Sequence, residues 1–352
     1  MPSGVFDLAP DSVVHSVSTP EYRTEPPQVR NAGLIPPTVR GMMAAAWDQR
    51  TVAANSVTVH RLTRCIVAGE GLVFDQDMRV LRHTLSAYAD DAVAAVAAQI
   101  RQAAAAGTVR HLPGTTMVCK KRGVGNYGHW MAEMLPAAFV GLPWAASWRF
   151  LVPRDAEALG QVIRASLGLL GITEANWLEC GDEPVLCDEV LVVCGLGNHG
   201  VSMSPVVMEC LDRVGAMVSP GYAERVWVSR AGAHRALWNE SEVETVLTAA
   251  GWHIAHPGRI ALLDQIALFK GARRIAGVAG AGLANLAFAL PGASVTCFMP
   301  AAMPDTFFWL LSGLRGVHYH EVRCLTAQKA HGISPWDAHL VMSLPDVLAH
   351  LE

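Results

Sequence analysis

Thirty consecutive positions, Ile275 to Pro304, carry no Asp, Glu, Lys or Arg. So long an uncharged run is withdrawn from water in a folded chain, and it is longer than a bilayer requires. Gly277, Gly280, Gly282, Asn285, Pro291 and Gly292 break it, however, with two turn-like interruptions. That pattern predicts a buried strand, a glycine turn, a helix and a second buried strand rather than one continuous spanning helix. Strands apolar on both faces belong to parallel sheets covered by helices, so the run places the chain in the α/β class.

The flanking sequence agrees. Of 352 residues, 51% are hydrophobic and 16% charged, which suits a large core and is too apolar for a disordered chain. Residues 1–50 hold Pro20, Pro26, Pro27, Pro36 and Pro37 with little periodicity and are expected to form an extended lead-in. From Ser56, short apolar runs around the polar turn Asp75-Gln76-Asp77 predict a small antiparallel sheet. The Ala-rich stretch from Ala92 to Ala106 predicts a helix stopped by Gly107. Strands then alternate with helices: strands at 115–119, 149–152 and 189–194, helices at 128–141 (interrupted by Pro136) and around Leu159 to Leu170.

A second series follows Pro220-Gly221, with strands at 225–229, 252–255, 274–279 and 293–298. Its helices start at Asn239, run from Leu262 to Phe269, and span 282–290. Two such halves predict two Rossmann-like domains with parallel sheets facing a central cleft. Their expected bounds are 51–219 and 220–330, with a helical tail at 331–352.

Charge narrows the function. Lys and Arg number 27 against 31 Asp and Glu, a net charge of −4, so no basic stripe is available to neutralise nucleic-acid phosphates. The eight cysteines include no C-x-x-C pair, and several lie in apolar runs, the ordinary setting of a buried thiol. No basic region followed by an apolar stretch opens the chain. A cytoplasmic protein is expected, with peripheral attachment at the inner face of a membrane still compatible.

Three constellations could carry chemistry. In the first, Gly123 to Glu133, a glycine turn follows a strand and opens a helix. His129 and Glu133 are four apart, share a helical face and can pair, and the carboxylate would orient the imidazole. A histidine there is placed for general-base work; a structural His–Glu pair is the alternative, and spacing alone favours it. In the second, Arg230 and Arg235 lie between a strand end and a helix start with Asn239 and Glu240, suiting an anionic group such as a diphosphate. Surface arginines with an ordinary helix cap explain it equally well. In the third, Gly277 to Asn285, glycines let backbone approach a ligand. It fits G-x-G-x-x-G loosely, with Asn285 in the third glycine's place, so anion binding is expected above dinucleotide binding. Asp75-Gln76-Asp77 has the D-x-D form of some metal sites but is read as a hairpin turn. Cys180, Cys187 and Cys194 recur every seven residues without the spacing of a metal site.

In order along the chain, these blocks resemble glycosyltransferase family 61. The resemblance rests on Asn126-Tyr-Gly-His-Trp-Met-Ala-Glu-Met-Leu-Pro136, then Val226-Trp-Val-Ser-Arg230, Arg235, Asn239-Glu240 and Gly251. It ends with Asp264-Gln265 to Phe269, Gly280-Ala281-Gly282-Leu-Ala-Asn285, and Phe288 to Gly292. It implies a GT-B-like fold and inverting transfer of a sugar from a nucleotide-diphosphate donor, a UDP-sugar first among them, to a hydroxyl of a glycan, polysaccharide or lipid-linked acceptor. It implies no cofactor and no divalent metal. Arg230 and Arg235 would bind the diphosphate. Gln265 and the Gly280-Ala281-Gly282 to Asn285 helix start would complete the nucleotide pocket. His129, oriented by Glu133, would be the base on the acceptor side, with Asn126 beside it. Two positions depart from the family's pattern: Ala279 stands where a histidine is usual, and Cys297 near where a glutamate is usual. His199, in Gly197-Asn-His-Gly200, is a candidate to compensate. Those departures motivate a rival expectation, a non-catalytic binding or partner subunit; an NAD-dependent oxidoreductase ranks below both.

Overall fold

A computed structural model describes residues 2–155, 157–198, 200–327 and 336–351. The chain divides into two compact units: residues 1–19 with 55–196, and residues 20–54 with 197–352. Both are α/β.

The first unit is built on a mixed sheet. The long strand Asn55–Ala68 runs antiparallel to Val13–Thr19, to Leu72–Phe74 and to Val185–Cys194. Leu72–Phe74 turns back into Arg79–Leu81, which carries Gly4–Phe6 at the sheet's edge. On the other side of Val185–Cys194 lie Arg110–Val118, Arg149–Pro153 and Trp177–Cys180, and these last three are parallel neighbours. The predicted small antiparallel sheet and the α/β series therefore share one sheet, because hairpins join the first strands and helices join the later ones. Helix Asp90–Ala105 sets Val93, Ala97 and Ile100 against Ala68, Leu72, Phe74 and Val80, burying its i, i+4, i+7 stripe.

In the second unit five parallel strands come in the spatial order His253–Ala255, Arg225–Val228, Arg274–Val278, Ser294–Pro300, His318–Thr326. Numbered by sequence this is 2-1-3-4-5, a doubly wound sheet whose order reverses between Arg225–Val228 and Arg274–Val278. Side chains alternate across it. Trp227, Ala276, Phe298 and Val322 face a core shared with Val243 and Leu247 of helix Glu240–Ala249 and Val347 of helix Leu344–Ala349. The uncharged run forms Arg274–Val278, a helical turn Ala281–Phe288 and Ser294–Pro300, as its breaks predict, although the helical part is 3₁₀ rather than α. No helix among the described residues is long and apolar enough to cross a membrane.

Residues 1–50 are not a detached lead-in. Gly4–Phe6 and Val13–Thr19 join the first sheet, Gln28–Arg30 pairs with the edge of His318–Thr326, and Pro37–Trp47 is a helix of the second unit. The last stretch likewise holds a short strand, Leu340–Val341, before its helix, and the expected boundary near 219 falls instead after Leu196.

Candidate active site

The first constellation sits at the end of Arg110–Val118. Asn126 caps the following helix, its Oδ1 accepting from the backbone N–H of Gly128 (2.8 Å) and of His129 (3.3 Å). The helix is continuous from Tyr127 to Val140 but widens to π geometry over Trp130–Met134. Pro136 is the reason: it has no N–H for an i→i−4 bond, and the looser turn absorbs its ring. Trp130 anchors the helix through its indole N–H on Ser166 Oγ at 2.9 Å.

His129 Nδ1 lies 2.8 Å from Glu133 Oε2, so the pair expected from the spacing forms. The same carboxylate oxygen also receives Lys121 Nζ at 2.8 Å. Gly123 has φ +96°, and a Cβ there would stand 2.6 Å from His129 Cδ2, so the glycine makes room for the imidazole. Glu70 fastens this loop from outside, taking the backbone N–H groups of Gly123 (2.6 Å) and Val124 (3.2 Å) and pairing with Arg122. Lys121 and Glu70 were not singled out in the sequence. The basic run Lys120-Lys121-Arg122 ahead of the glycines was the available signal for Lys121; Glu70 lies in a distant hairpin turn and gave none.

The second and third constellations meet in the other unit, at the switch point of its sheet. Arg230 follows Arg225–Val228, and its guanidinium lies against Gly280, which follows Arg274–Val278. A Cβ on Gly280 would fall 1.7 Å from Arg230 Nη1. Arg230 Nε donates to the carbonyls of His234 and Arg235, both at 3.2 Å. Arg235 Nη1 donates to the Ala279 carbonyl at 3.1 Å, and its Nη2 lies 3.2 Å from Asp337 Oδ1. Burial pushes Arg230 below the usual arginine value, and the Arg235 charge adds to that, while Glu240 and Asp337 oppose it. Two guanidiniums side by side at the carboxyl ends of strands 1 and 3 form an electropositive spot where such sheets bind ligands.

The remaining expected residues shape the spot from beneath. Glu240 is buried and accepts from the N–H groups of Arg230 (2.7 Å) and Leu237 (3.0 Å), closing the loop that presents both arginines. Burial raises its carboxyl, and those backbone donors work against the rise. Asn239 begins the helix without a side-chain cap bond, so the capping expected of it does not form. Gln265 Nε2 holds the carbonyls of Pro257 and Ile260, and its Oε1 receives Asn285 Nδ2 at 2.8 Å. Both are buried and bind protein groups, so they brace the Gly280-Ala281-Gly282 turn.

Ala279 and Cys297 are fully buried, and burial pushes the Cys297 thiol well above its usual value. Cys297 lies opposite Glu321 of the next strand, whose carboxylate holds Arg323 Nε at 2.6 Å and Tyr319 Oη at 2.7 Å. Arg323 in turn donates to the carbonyls of Pro300 (3.1 Å) and Met303 (2.6 Å). His199 lies outside the described residues. Asp75 forms the expected turn: its Oδ1 takes the N–H groups of Asp77 and Arg79. Among the described residues no three His, Cys, Asp or Glu side chains gather as metal ligands.

No curated protein matches the chain. A family model does: Glycosyltransferase 61 matches residues 127–296. That span opens at the His129 helix, takes in both arginines, the Gln265–Asn285 brace and Gly280, and ends inside Ser294–Pro300. Over that span, just under half of the chain, the match supports assignment to glycosyltransferase family 61.

Proposed function

We propose that this glycosyltransferase moves a sugar from a nucleotide-diphosphate donor, a UDP-sugar first among the candidates, to a hydroxyl of a glycan, polysaccharide or lipid-linked acceptor, with inversion and without a divalent metal. The observation that carries the reading is the Arg230–Arg235 pair at the switch point of a 2-1-3-4-5 sheet, with a glycine where Arg230 needs the space. In the reaction the acceptor oxygen loses its proton and attacks the anomeric carbon. The bond from that carbon to the diphosphate breaks, and the leaving group keeps the electron pair. Arg230 and Arg235 would offset the charge that develops there, the task a metal performs in other transferases. His129 would be the base, its imidazole oriented by the 2.8 Å contact of Nδ1 with Glu133. All eight cysteines are free thiols, as in reducing compartments, which supports a cytoplasmic location.

The test is a thermal-shift and turnover screen of UDP-, GDP- and CMP-sugars, each with Mn²⁺ and with a chelator. Melting raised by one nucleotide and abolished in Arg230→Ala, with turnover insensitive to chelation, is the expected result. Turnover unchanged in both Arg230→Ala and His129→Ala would sink the residue assignments. The burial of Ala279 and Cys297 favours a second reading, a subunit that binds the nucleotide sugar without transferring it. Binding without turnover across all acceptors would select that reading.

A further inference from the structure

Arg235 faces more than the glycine turn. Residues 336–341 lie alongside 235–238: the Arg235 N–H donates to the Asp337 carbonyl (3.1 Å), Leu340 N–H to Ala236 (2.9 Å) and Trp238 N–H to Leu340 (3.0 Å). This strap puts the Asp337 carboxylate on Arg235 Nη2 at 3.2 Å, with Arg235 16% exposed and Asp337 46%. Arg235 itself sits at φ +59°, a backbone state that few side chains other than glycine, Asn or Asp adopt, and one that clusters at functional sites.

Two carboxylates act on the arginine pair, and they differ. Glu240 is buried and committed to backbone N–H groups, so it cannot leave without opening the loop. Asp337 holds Arg235 through a single side-chain contact at the surface, and the strap's backbone ladder would survive its departure. We propose that Asp337 is a resident counter-ion that occupies the anion position on Arg235 in the empty protein and is displaced by the diphosphate of the bound nucleotide. The inference rests on the donor-site reading of Arg230 and Arg235. Displacement weakens nucleotide binding, because one ion pair is exchanged for another. The same exchange hastens product release, because the carboxylate recaptures Arg235 as the nucleoside diphosphate leaves. Asp337 is thus a positioning residue that trades affinity for turnover.

The test compares wild type, Asp337→Asn and Arg235→Lys by calorimetric titration with UDP and GDP, followed by steady-state kinetics with the corresponding donors. Asp337→Asn keeps the side chain's shape and the strap's backbone bonds. It is expected to bind the nucleoside diphosphate about two- to fivefold more tightly, the range that loss of a partly exposed ion pair implies. Its KM and kcat are expected to fall together, the pattern of slowed product release, which a merely structural role would not give. Nucleotide binding that weakens in Arg235→Lys while staying equal or weaker in Asp337→Asn overturns the counter-ion and leaves the donor site standing. Binding indifferent to Arg235→Lys, or no binding in any of the three proteins, overturns both.

Discussion

The two charged regions are built on opposite plans. In the first unit, charge meets charge: His129 and Lys121 both bond to the Glu133 carboxylate. In the second, guanidiniums meet main chain: Arg230 and Arg235 hold carbonyls of the very loop and turn that place them. Arg323, deeper in the same unit, combines the two plans, on the Glu321 carboxylate and on the carbonyls of Pro300 and Met303. Removing a member of the first group changes local chemistry and leaves the backbone path alone. Removing a member of the second releases backbone that was tied to it, so stability and site geometry fail together.

The largest expected effect is at Arg323. Arg323→Met strands the Glu321 carboxylate in a fully buried position and frees two carbonyls. About 3–5 kcal/mol of stability should be lost, read as the urea midpoint at constant slope; a loss under about 1 kcal/mol would show that neither the buried pair nor the main-chain anchoring matters much here. Next come His129→Ala and Arg230→Ala. Each should lower kcat by roughly 100-fold under the proposed mechanism, yet only Arg230→Ala should also melt several degrees lower, since about 1 kcal/mol moves the midpoint of a unit this size by roughly 2–4 °C. Equal melting shifts in the two variants would erase the contrast.

A smaller step sharpens the first region. Asn126→Ala removes the cap of the His129 helix and should cost about 1 kcal/mol; amide exchange at Gly128 and His129 should speed up while Arg225–Val228 stays protected. The smallest effect is electrostatic. Burial raises the Glu240 carboxyl, so between its unfolded and folded values the native state binds more protons than the unfolded one. This group's contribution therefore favours the fold at acid pH and is lost as pH rises through the folded value. Chemical unfolding of wild type against Glu240→Gln from pH 4 to 7 should show wild type losing ground with rising pH.

The sequence showed most where order is local. The uncharged run, the strand spacing after Pro220 and the i,i+4 pair His129–Glu133 are all legible within a few turns of chain. Sequence pattern did not separate a 3₁₀ turn from an α-helix at Ala281–Phe288, where both give the same apolar run. Nor could it sort roles inside a motif: Glu240 and Gln265 were picked out with the arginines but serve backbone groups beneath them. Partners from far along the chain left no trace. Glu70 reaches Gly123 across 53 residues and Asp337 reaches Arg235 across 102. The short strands of residues 1–50 escaped for the same reason, since two-to-seven-residue pieces acquire strand character only from the sheet they join.

That last feature sets a clock on synthesis. Gln28–Arg30 completes the edge of His318–Thr326, and Asn31 Nδ2 closes on the Arg323 carbonyl, a bond between residues 292 apart. At translation speeds of roughly 5–20 residues per second, the early strand waits on the order of 15–60 s for its partner to leave the ribosome. Throughout that interval its hydrogen-bonding edge is exposed, and the second unit cannot close. Nascent chains of this protein should therefore engage holding chaperones until residues 318–326 have emerged, and a ribosome stalled before residue 318 should carry a first unit able to fold and a second that is not.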